Sequence, residues 1–380
     1  MTSPGLLANS PTRIFDAGAL VRPVVHDLPR YEPATIPEDR PASHIKLDMN
    51  ESPFGPSPKA RDAIVSFEET NRYPDFAQAE LREALAHYLE VPPSQVLAGA
   101  GLDDVLNDLM LLLIDDGDEV IISEPTFGVY RSLVALHGGE LVDVPLTPGP
   151  NFALDPDAIL AAVSPRTKLV IICNPNNPTG NLFDPDAVEQ VIAHAPCLVV
   201  VDEAYAEFAG VTHLPLMARY PNLAVLRTMS KFAGLAGLRV GYGAFPDALM
   251  PYLMRVAPPF FNISALSVAA AIASLDDLPH LMAKVSDTVA AREHLASRLR
   301  LIPGVVPLPS SANFLLIRLP GEDAGPVVAK LASEGIYVRH FRNPSLGLRD
   351  CLRVSIGLPE ELAVFAEMLS DTFSSGIVSP

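Results

Sequence analysis

Residues 168–180 read KLVIICNPNNPTG, an apolar run followed at once by a loop of asparagine, proline, threonine and glycine. The run Lys168–Cys173 has the length of a strand, and its consecutive apolar side chains are typical of a strand covered on both faces. Asn, Pro and Gly suit any tight turn. A loop of this composition directly after a buried strand is also suited to direct an asparagine amide into a crevice.

Other short apolar runs of β type lie on both sides of this one, separated by segments long enough for helices. They are Gln95–Ala98, Glu119–Ser123, Cys197–Val201 and Ala224–Thr228. This alternation predicts an α/β fold with a mostly parallel sheet flanked by helices.

The 380-residue chain is too long for one core, so two joined lobes are expected. We predict a proline-rich N-terminal arm (1–45), a large domain (46–262) and a smaller α+β C-terminal domain (263–380). The last segment is marked by a change of pattern. Its helical stretches are Ser267–Ser274, Lys284–Arg300 and a helix around Ala324–Glu334, and its strands are Asn313–Arg318 and Leu352–Ile356.

Composition excludes several classes of function. A net charge of −18 opposes binding to nucleic acids and anionic membranes. Apolar stretches such as Leu109–Ile114 are far shorter than the roughly 20 residues of a membrane-spanning helix. The three cysteines lack metal-ligand spacing, and no secretion signal is evident, so we expect a cytoplasmic protein with reduced thiols and no metal.

Residues that bind ligands in an open α/β sheet follow the carboxyl ends of its strands. Gly99-Ala100-Gly101 comes after the run Gln95–Ala98 and precedes an amphipathic helical segment that begins at Leu102. The free N–H groups at the start of this helix could bind an anion. Glycine turns before helices are common, so this signal is weak by itself.

Charged residues follow two further runs. Asp202-Glu203-Ala204-Tyr205 comes after Cys197–Val201, where an acidic residue is either a helix cap or a partner for a cationic ring nitrogen. Met229-Ser230-Lys231 follows Ala224–Thr228, and Arg239 lies eight residues further on. A lone lysine is normally a surface charge, but apolar surroundings would lower its pKa and favour the neutral amine that forms imines.

Together these strand ends supply an imine-forming lysine, a carboxylate for a pyridinium nitrogen and a phosphate cradle, which are the groups that pyridoxal 5′-phosphate requires. At this point the sequence resembles the fold-type I aminotransferases, particularly the histidinol-phosphate aminotransferase family, from about Leu47 to Ile356. The stretches that carry the resemblance are LDMNESP (47–53), RYPD (72–75), NPNNPTG (174–180), VDEAY (201–205) and TMSKFAGLAGLR (228–239).

The resemblance implies a role for each cofactor residue. Lys231 would carry the cofactor and move the substrate Cα proton, Asp202 would hold the pyridine nitrogen protonated, and Asn177 and Tyr205 would hold the ring oxygen. Phe127 would stack on the ring, and Tyr73 would reach the phosphate in the partner subunit of a homodimer. The implied phosphate ligands are Thr228, Ser230, Arg239 and the backbone at Ala100, Gly101 and Leu102.

For the substrate, the resemblance implies Arg353 as the carboxylate-binding arginine, and Arg339 and Tyr31 near a substrate phosphate, with Asn50 and Asn177 completing the site. Guanidinium groups suit both carboxylates and phosphates. The pattern departs from the family at Leu102, Asp104 and Phe127, where a small polar residue, glutamate and tyrosine are more usual.

The leading hypothesis is transamination between L-histidinol phosphate and 2-oxoglutarate, giving imidazole-acetol phosphate and L-glutamate. An aromatic or other amino-acid aminotransferase would share every cofactor residue. A phospho-amino-acid decarboxylase of the threonine-phosphate type would break a different bond at Cα on the same scaffold. A cofactor-sensing regulator is disfavoured, because only a short proline-rich arm precedes the cofactor motifs.

Overall fold

The computed structural model describes residues 17–28, 44–147, 149, 151–257, 262–321 and 323–374. Its strands are β1 (Ile45–Lys46), β2 (Val96–Gly99), β3 (Glu119–Ile122), β4 (Glu140–Asp143), β5 (Thr167–Cys173), β6 (Leu198–Asp202), β7 (Leu223–Thr228), β8 (Gly241–Ala244), β9 (Val306–Pro307), β10 (Phe314–Arg318), β11 (Ile336–Tyr337), β12 (Arg339–His340) and β13 (Cys351–Ser355).

The α-helices are α1 (Pro23–Asp27), α2 (Pro58–Val65), α3 (Ala79–Leu89), α4 (Leu102–Leu113), α5 (Val129–His137), α6 (Pro156–Ala162), α7 (Pro185–His194), α8 (Ala206–Ala209), α9 (Met250–Val256), α10 (Ala265–Leu275), α11 (Leu278–Leu299), α12 (Gly325–Ser333) and α13 (Pro359–Ser374). None of these helices, nor any other in the described part of the chain, is long and apolar enough to cross a membrane.

A seven-stranded sheet forms the centre of the large lobe, in the order β2-β8-β7-β6-β5-β3-β4. Strand β8 runs antiparallel to both neighbours, and the other pairs are parallel. The predicted α/β class and all five strands predicted for the large lobe are confirmed. Strands β4 and β8 were missed because β4 is a half-exposed edge strand and β8 is a glycine-containing segment, GYGA.

The carboxyl ends of the central strands meet at one edge of this sheet. In the ladder, Cys173 is opposite Asp202, and Gly241 is opposite both Thr228 and Gly99. The residues that follow β2, β5, β6 and β7 therefore enter the same space, as the strand-end argument requires.

Helix α4 starts at this edge and packs its apolar face on the sheet. Leu102, Val105, Leu106 and Leu109 are buried, as their spacing predicts. Its first turn carries Asp103 and Asp104, acidic residues that are favourable near the positive end of a helix dipole.

A four-stranded antiparallel sheet, β12-β13-β10-β9, forms the small lobe with α12 and α13. Strand β1 pairs with β11, and Leu47 lies in the small-lobe core although it precedes the large-lobe strands. Helix α10 and the start of α11 instead pack in the large-lobe core, to which Ala270 and Leu281 belong. We propose that the lobes divide within α11 rather than at residue 262, with β1 part of the small lobe.

The predicted N-terminal arm lies largely outside the described residues. Its described part contains a 3₁₀ turn, Gly18–Leu20, and the short helix α1, neither of which the sequence pattern predicted.

Candidate active site

Lys231 lies in the turn after β7, at the carboxyl edge of the large sheet. Its Nζ donates a hydrogen bond to the carbonyl oxygen of Met49 at 3.2 Å. Burial, together with the positive charges of Arg353 and Arg239, lowers the pKa of Lys231 to about 8. A lysine with this pKa is an amine that can react near neutral pH.

Asp202, the last residue of β6, is 2% exposed. Its Oδ2 accepts a hydrogen bond from the Tyr130 hydroxyl at 2.5 Å, and its Oδ1 accepts one from the Ala204 N–H at 3.0 Å. Burial raises the pKa of Asp202 to about 6, against the opposing effect of these two donors. No arginine, lysine or histidine of the described ranges forms an ion pair with it, so the carboxylate remains available for a cation.

Tyr205 and Asn50 face each other beside this carboxylate. The Asn50 side-chain amide donates to the Tyr205 hydroxyl at 3.0 Å, and the Asn50 N–H donates to Ser355 Oγ at 2.8 Å. The Tyr205 ring packs edge-to-face on Phe314, with centroids 5.2 Å apart. Burial raises the pKa of Tyr205, so its hydroxyl remains protonated.

Arg353 enters the site from β13 of the small lobe. It donates to Asn177 Oδ1 and to the carbonyl oxygen of Asp48, each at 2.6 Å. Its guanidinium lies over the Phe314 ring at 5.3 Å. These contacts fix the orientation of the Arg353 guanidinium, and Arg353 as a whole is only 8% exposed.

Hydroxyls and a guanidinium surround the space between β7 and α4. Thr228 Oγ1 lies 3.0 Å from Ser230 Oγ and accepts from the Ser230 N–H at 3.1 Å. Arg239 pairs with Asp103 at 3.0 Å. Its guanidinium lies so close to Gly101 that a Cβ there would stand 2.8 Å from Arg239 Cζ, and Gly101 has a φ of +94°. Glycine at this turn therefore provides both the backbone conformation and the space for Arg239.

The N-terminus of α4 offers fewer backbone N–H groups to an anion than the sequence implied. The Ala100 N–H donates to Asp104 Oδ2 at 2.8 Å, and the Gly101 N–H donates to the Gly99 carbonyl at 2.8 Å. The N–H groups of Leu102 and Asp103, in the first turn of the helix, have no intrahelical acceptor. Of the three predicted backbone positions, Leu102 is thus the one whose N–H is available.

The two late arginines lie side by side. Arg339 of β12 is directly opposite Arg353 of β13 in the antiparallel ladder. Opposite residues place their side chains on the same face, with Cβ atoms about 5 Å apart. Arg339 also lines a cavity of ≈ 650 Å³ together with Tyr337 and His340, which is large enough for a small-molecule ligand.

Three predicted aromatic residues have different placements. Phe127 is half-buried, and its ring meets Tyr130 edge-to-face at 5.5 Å, next to Asp202. Tyr73 is 84% exposed on the segment between α2 and α3. Tyr31 lies outside the described residues.

Sequence reasoning missed Tyr130, whose hydroxyl is a direct partner of Asp202. Helical spacing could not link Tyr130 to Phe127, because α5 begins at Val129 and Phe127 precedes it. Sequence reasoning also missed the carbonyl oxygens of Asp48 and Met49, which no side-chain pattern reveals.

The donor set fits a phosphorylated pyridine aldehyde. Asp202 is a buried carboxylate that forms no ion pair within the described part of the chain, which suits a protonated ring nitrogen. The open turn at Gly101, the Leu102 N–H, which has no acceptor among the described residues, and the Thr228 and Ser230 hydroxyls form a cradle for a phosphate.

Comparison with known proteins gives the same class. The model of the family "Aminotransferase class I and II" matches residues 42–369. The structure is similar to that of histidinol-phosphate aminotransferase from Sinorhizobium meliloti in complex with pyridoxal-5′-phosphate. The TM-score is 0.83 and the identity 29%, and the match covers 93% of this chain and 98% of that one.

Relatives by sequence narrow the class. The chain is 38% identical to histidinol-phosphate aminotransferase from Roseiflexus castenholzii, over 93% of this chain and 98% of the relative. It is 39% identical to the enzyme of the same name from Dehalococcoides mccartyi strain CBDB1, over 90% and 94% of the two chains. The chain therefore belongs to the class I and II aminotransferases and, within them, to the histidinol-phosphate aminotransferase family.

Proposed function

We propose that this protein uses pyridoxal 5′-phosphate to transfer the amino group of L-histidinol phosphate to 2-oxoglutarate, giving imidazole-acetol phosphate and L-glutamate in histidine biosynthesis. The observation that carries the proposal is the position of Lys231, Asp202 and Arg353 at the junction of the lobes, with Arg339 opposite Arg353 in the small-lobe sheet. When bound, the cofactor supplies an electron sink for negative charge at the substrate Cα.

Each cofactor contact has a residue suited to it. Asp202 would hold a proton on the ring nitrogen, and the Tyr205 hydroxyl and Asn177 amide would bind the ring oxygen. The phosphate would lie among Thr228, Ser230, Arg239 and the Leu102 N–H, where Arg239 would exchange its contact with Asp103 for a stronger one. Phe127 is placed to cover one ring face beside Tyr130.

Lys231 would hold the cofactor and would also move a proton. Its lowered pKa makes the neutral amine accessible near neutral pH, so Nζ is suited to accept the proton of the substrate Cα. The Met49 carbonyl, which accepts from Nζ in this structure, would orient the free amine.

The arginine pair supports the choice of substrate. Arg353, held by Asn177 and the Asp48 carbonyl, is suited to the carboxylate of 2-oxoglutarate. Arg339, on the cavity side, is suited to the phosphate of L-histidinol phosphate. Asn50 would contact the substrate from beside Tyr205, and Tyr31 would approach its phosphate from the N-terminal arm.

A comparison of amino donors tests this proposal. We expect kcat/KM for L-histidinol phosphate to exceed that for L-histidinol or L-phenylalanine. Arg339→Ala should raise KM for the phosphorylated donor about tenfold or more, since it removes one charge-assisted contact, and change KM for L-phenylalanine little. Arg300→Ala, at an exposed arginine after α11, is the control. Equal effects of Arg339→Ala on both donors would contradict a phosphate pocket.

We further propose a cytoplasmic homodimer with shared active sites. The support for a dimer is an exposed apolar group within a short part of the chain, formed by Val65, Tyr73 and Phe76. Three free cysteines, two of them buried, are compatible with a reducing compartment.

A further inference from the structure

A network of buried charges lies behind the candidate site, centred on Glu203, which is 1% exposed. Glu203 Oε2 accepts from Arg227 Nε at 3.0 Å and from a second guanidinium nitrogen at 2.9 Å. Its Oε1 accepts from His213 Nδ1 at 2.9 Å and from the His213 N–H at 2.5 Å. The Thr212 hydroxyl also donates to Oε2, at 2.8 Å. The carboxylate is fully hydrogen-bonded.

The ion pair of Glu203 and Arg227 joins strands β6 and β7, immediately next to the proposed cofactor residues. Glu203 follows Asp202 at the end of β6, and Arg227 precedes Thr228 in β7. Asp202 is paired with Leu226 in the parallel ladder, and the Glu203 N–H donates to the Leu226 carbonyl at 2.8 Å. Because side chains alternate along a strand, a bond between Glu203 and Arg227 constrains the directions of Asp202 and Thr228 on the other face.

A third contact extends the network to the catalytic lysine. Phe232, which follows Lys231, stacks on the Tyr88 ring with centroids 5.9 Å apart and planes 14° apart. The Arg227 guanidinium lies 5.8 Å from the centre of the same ring, and the Tyr88 hydroxyl donates to Glu207 at 2.8 Å. The network therefore includes a residue directly adjacent in sequence to each of Asp202, Thr228 and Lys231.

We propose that Glu203 and Arg227 are positioning residues, which hold the ends of β6 and β7 in the register that directs Asp202, Thr228 and Lys231 towards one bound cofactor. This inference rests on the proposed function, since it assumes that these three residues bind pyridoxal phosphate. The pair acts through its neighbours and does not touch the cofactor.

Stability alone is a poor explanation for such a pair. Buried ion pairs can often be replaced by neutral residues without loss of stability, whereas removing one partner leaves an uncompensated charge. The distinguishing variant is therefore the double substitution Glu203→Gln with Arg227→Met. It removes both charges and keeps an oxygen for the His213 donors, while Glu207 can take up a proton because burial already raises its pKa.

The test measures cofactor affinity apart from turnover. Pyridoxal phosphate is titrated into cofactor-free protein, and the thermal unfolding midpoint and the pH midpoint of the bound cofactor's visible band are recorded. For the double variant we expect an unfolding midpoint close to wild type, binding about tenfold weaker and a shifted pH midpoint. KM for the amino donor should change less than kcat, because the arginines for substrate belong to the small lobe.

Glu119→Gln is the matched control. Glu119 is also a buried carboxylate that joins adjoining strands of this sheet, accepting from Thr167 at 2.9 Å and from Arg166, but at the opposite edge. It should leave cofactor binding unchanged. Arg227→Lys, which keeps the charge without the double contact, should weaken binding less than the double variant and provides the answer if the double variant does not fold.

If the folded double variant bound pyridoxal phosphate with the same affinity as wild type, this inference alone would be overturned. If only Arg227→Lys folds, the same comparison is made with that variant. Failure of wild type to bind the cofactor would overturn the proposed function together with it.

Discussion

At the scale of single residues, the site is an arrangement of charges that the fold holds at unusual pKa values. Burial and two arginines lower the pKa of Lys231, whereas burial raises that of Asp202. An aldehyde on a protonated ring requires an amine that is easily neutral and a carboxylate that can pair with the ring cation. Within the described ranges Asp202 has no cationic partner, so it can serve as that carboxylate.

The lowered pKa of Lys231 predicts how cofactor attachment depends on pH. The attachment rate should rise with pH through about 8, as Nζ loses its proton. Arg353→Gln removes a positive charge that disfavours the ammonium form, so the midpoint should move to higher pH. Stopped-flow absorbance measures this, with Arg349→Gln as control because Arg349 pairs with Asp323 instead. An unchanged midpoint in Arg353→Gln would contradict the electrostatic argument.

The same shift predicts the stability of the cofactor-free protein. Between pH 8 and the ordinary lysine value of 10.5, the unfolded chain holds a proton on this group that the folded chain lacks. Lys231 therefore makes the free energy of unfolding increase with pH across this window. Denaturant titrations should show that this increase is smaller in Lys231→Met, and an equal increase would be evidence against the lowered pKa.

Asp202 and Tyr130 make a graded prediction. Asp202→Asn cannot balance a ring cation, so kcat should fall about 10²-fold or more, the effect of breaking a buried charge pair. Tyr130→Phe removes one hydrogen bond to the carboxylate and should cost about tenfold. Single-turnover kinetics at saturating donor give both values. A larger effect from Tyr130→Phe than from Asp202→Asn would reverse the assigned roles.

At the scale of elements, the phosphate cradle depends on the close approach of β8 to the start of α4. A Cβ on Gly241 would overlap the backbone of Gly101 and Leu102. Gly241→Ala should therefore destabilise the fold by about 1–3 kcal/mol, as overpacking does, and weaken binding of pyridoxal phosphate. Gly237→Ala, where a Cβ would meet nothing within 4 Å, is the control. Equal melting temperatures and affinities for the two variants would show that the approach is unimportant.

Prediction from sequence was most successful where one local pattern determines the structure. The buried parallel strands, α4 and the residues just after each strand follow from apolar runs and turn residues, so Lys231, Asp202 and Asn177 could be found in this way. The edge strand β4 carries too few buried side chains, and the partner of β1 lies far along the chain, at Ile336. Contacts made by backbone carbonyls, such as that of Asp48 with Arg353, leave no side-chain pattern.

At the scale of the whole molecule, the segment after β1 connects the two lobes at the site. The Leu47 carbonyl accepts from the Ser355 N–H of the small lobe, and the Met49 carbonyl accepts from Lys231 of the large lobe. The carbonyl of Asn50 accepts from the Asn313 amide. The orientation of Arg353, which donates to the Asp48 carbonyl, is thereby coupled to Lys231 through adjacent residues of this backbone.

The proposed dimer predicts complementation between two impaired variants, Lys231→Ala and Tyr73→Ala. If Tyr73 contributes to the site of the partner subunit, each site contains Lys231 from one subunit and Tyr73 from the other. Unfolding and refolding the two variants together should produce hybrid dimers with one intact site each, and hence recovered activity. Each variant refolded alone is the control. The absence of recovery in proven hybrids would contradict a shared site.

The central claim is most directly tested by titrating the cofactor-loaded protein with L-histidinol phosphate in the absence of any keto acid. We predict that the visible band of the lysine-linked cofactor disappears, and that one imidazole-acetol phosphate forms per active site. Lys231→Ala should form no imidazole-acetol phosphate in the time that wild type needs to complete this conversion. A visible band that persists through the titration, with no keto product formed, would contradict the assignment as a histidinol-phosphate aminotransferase.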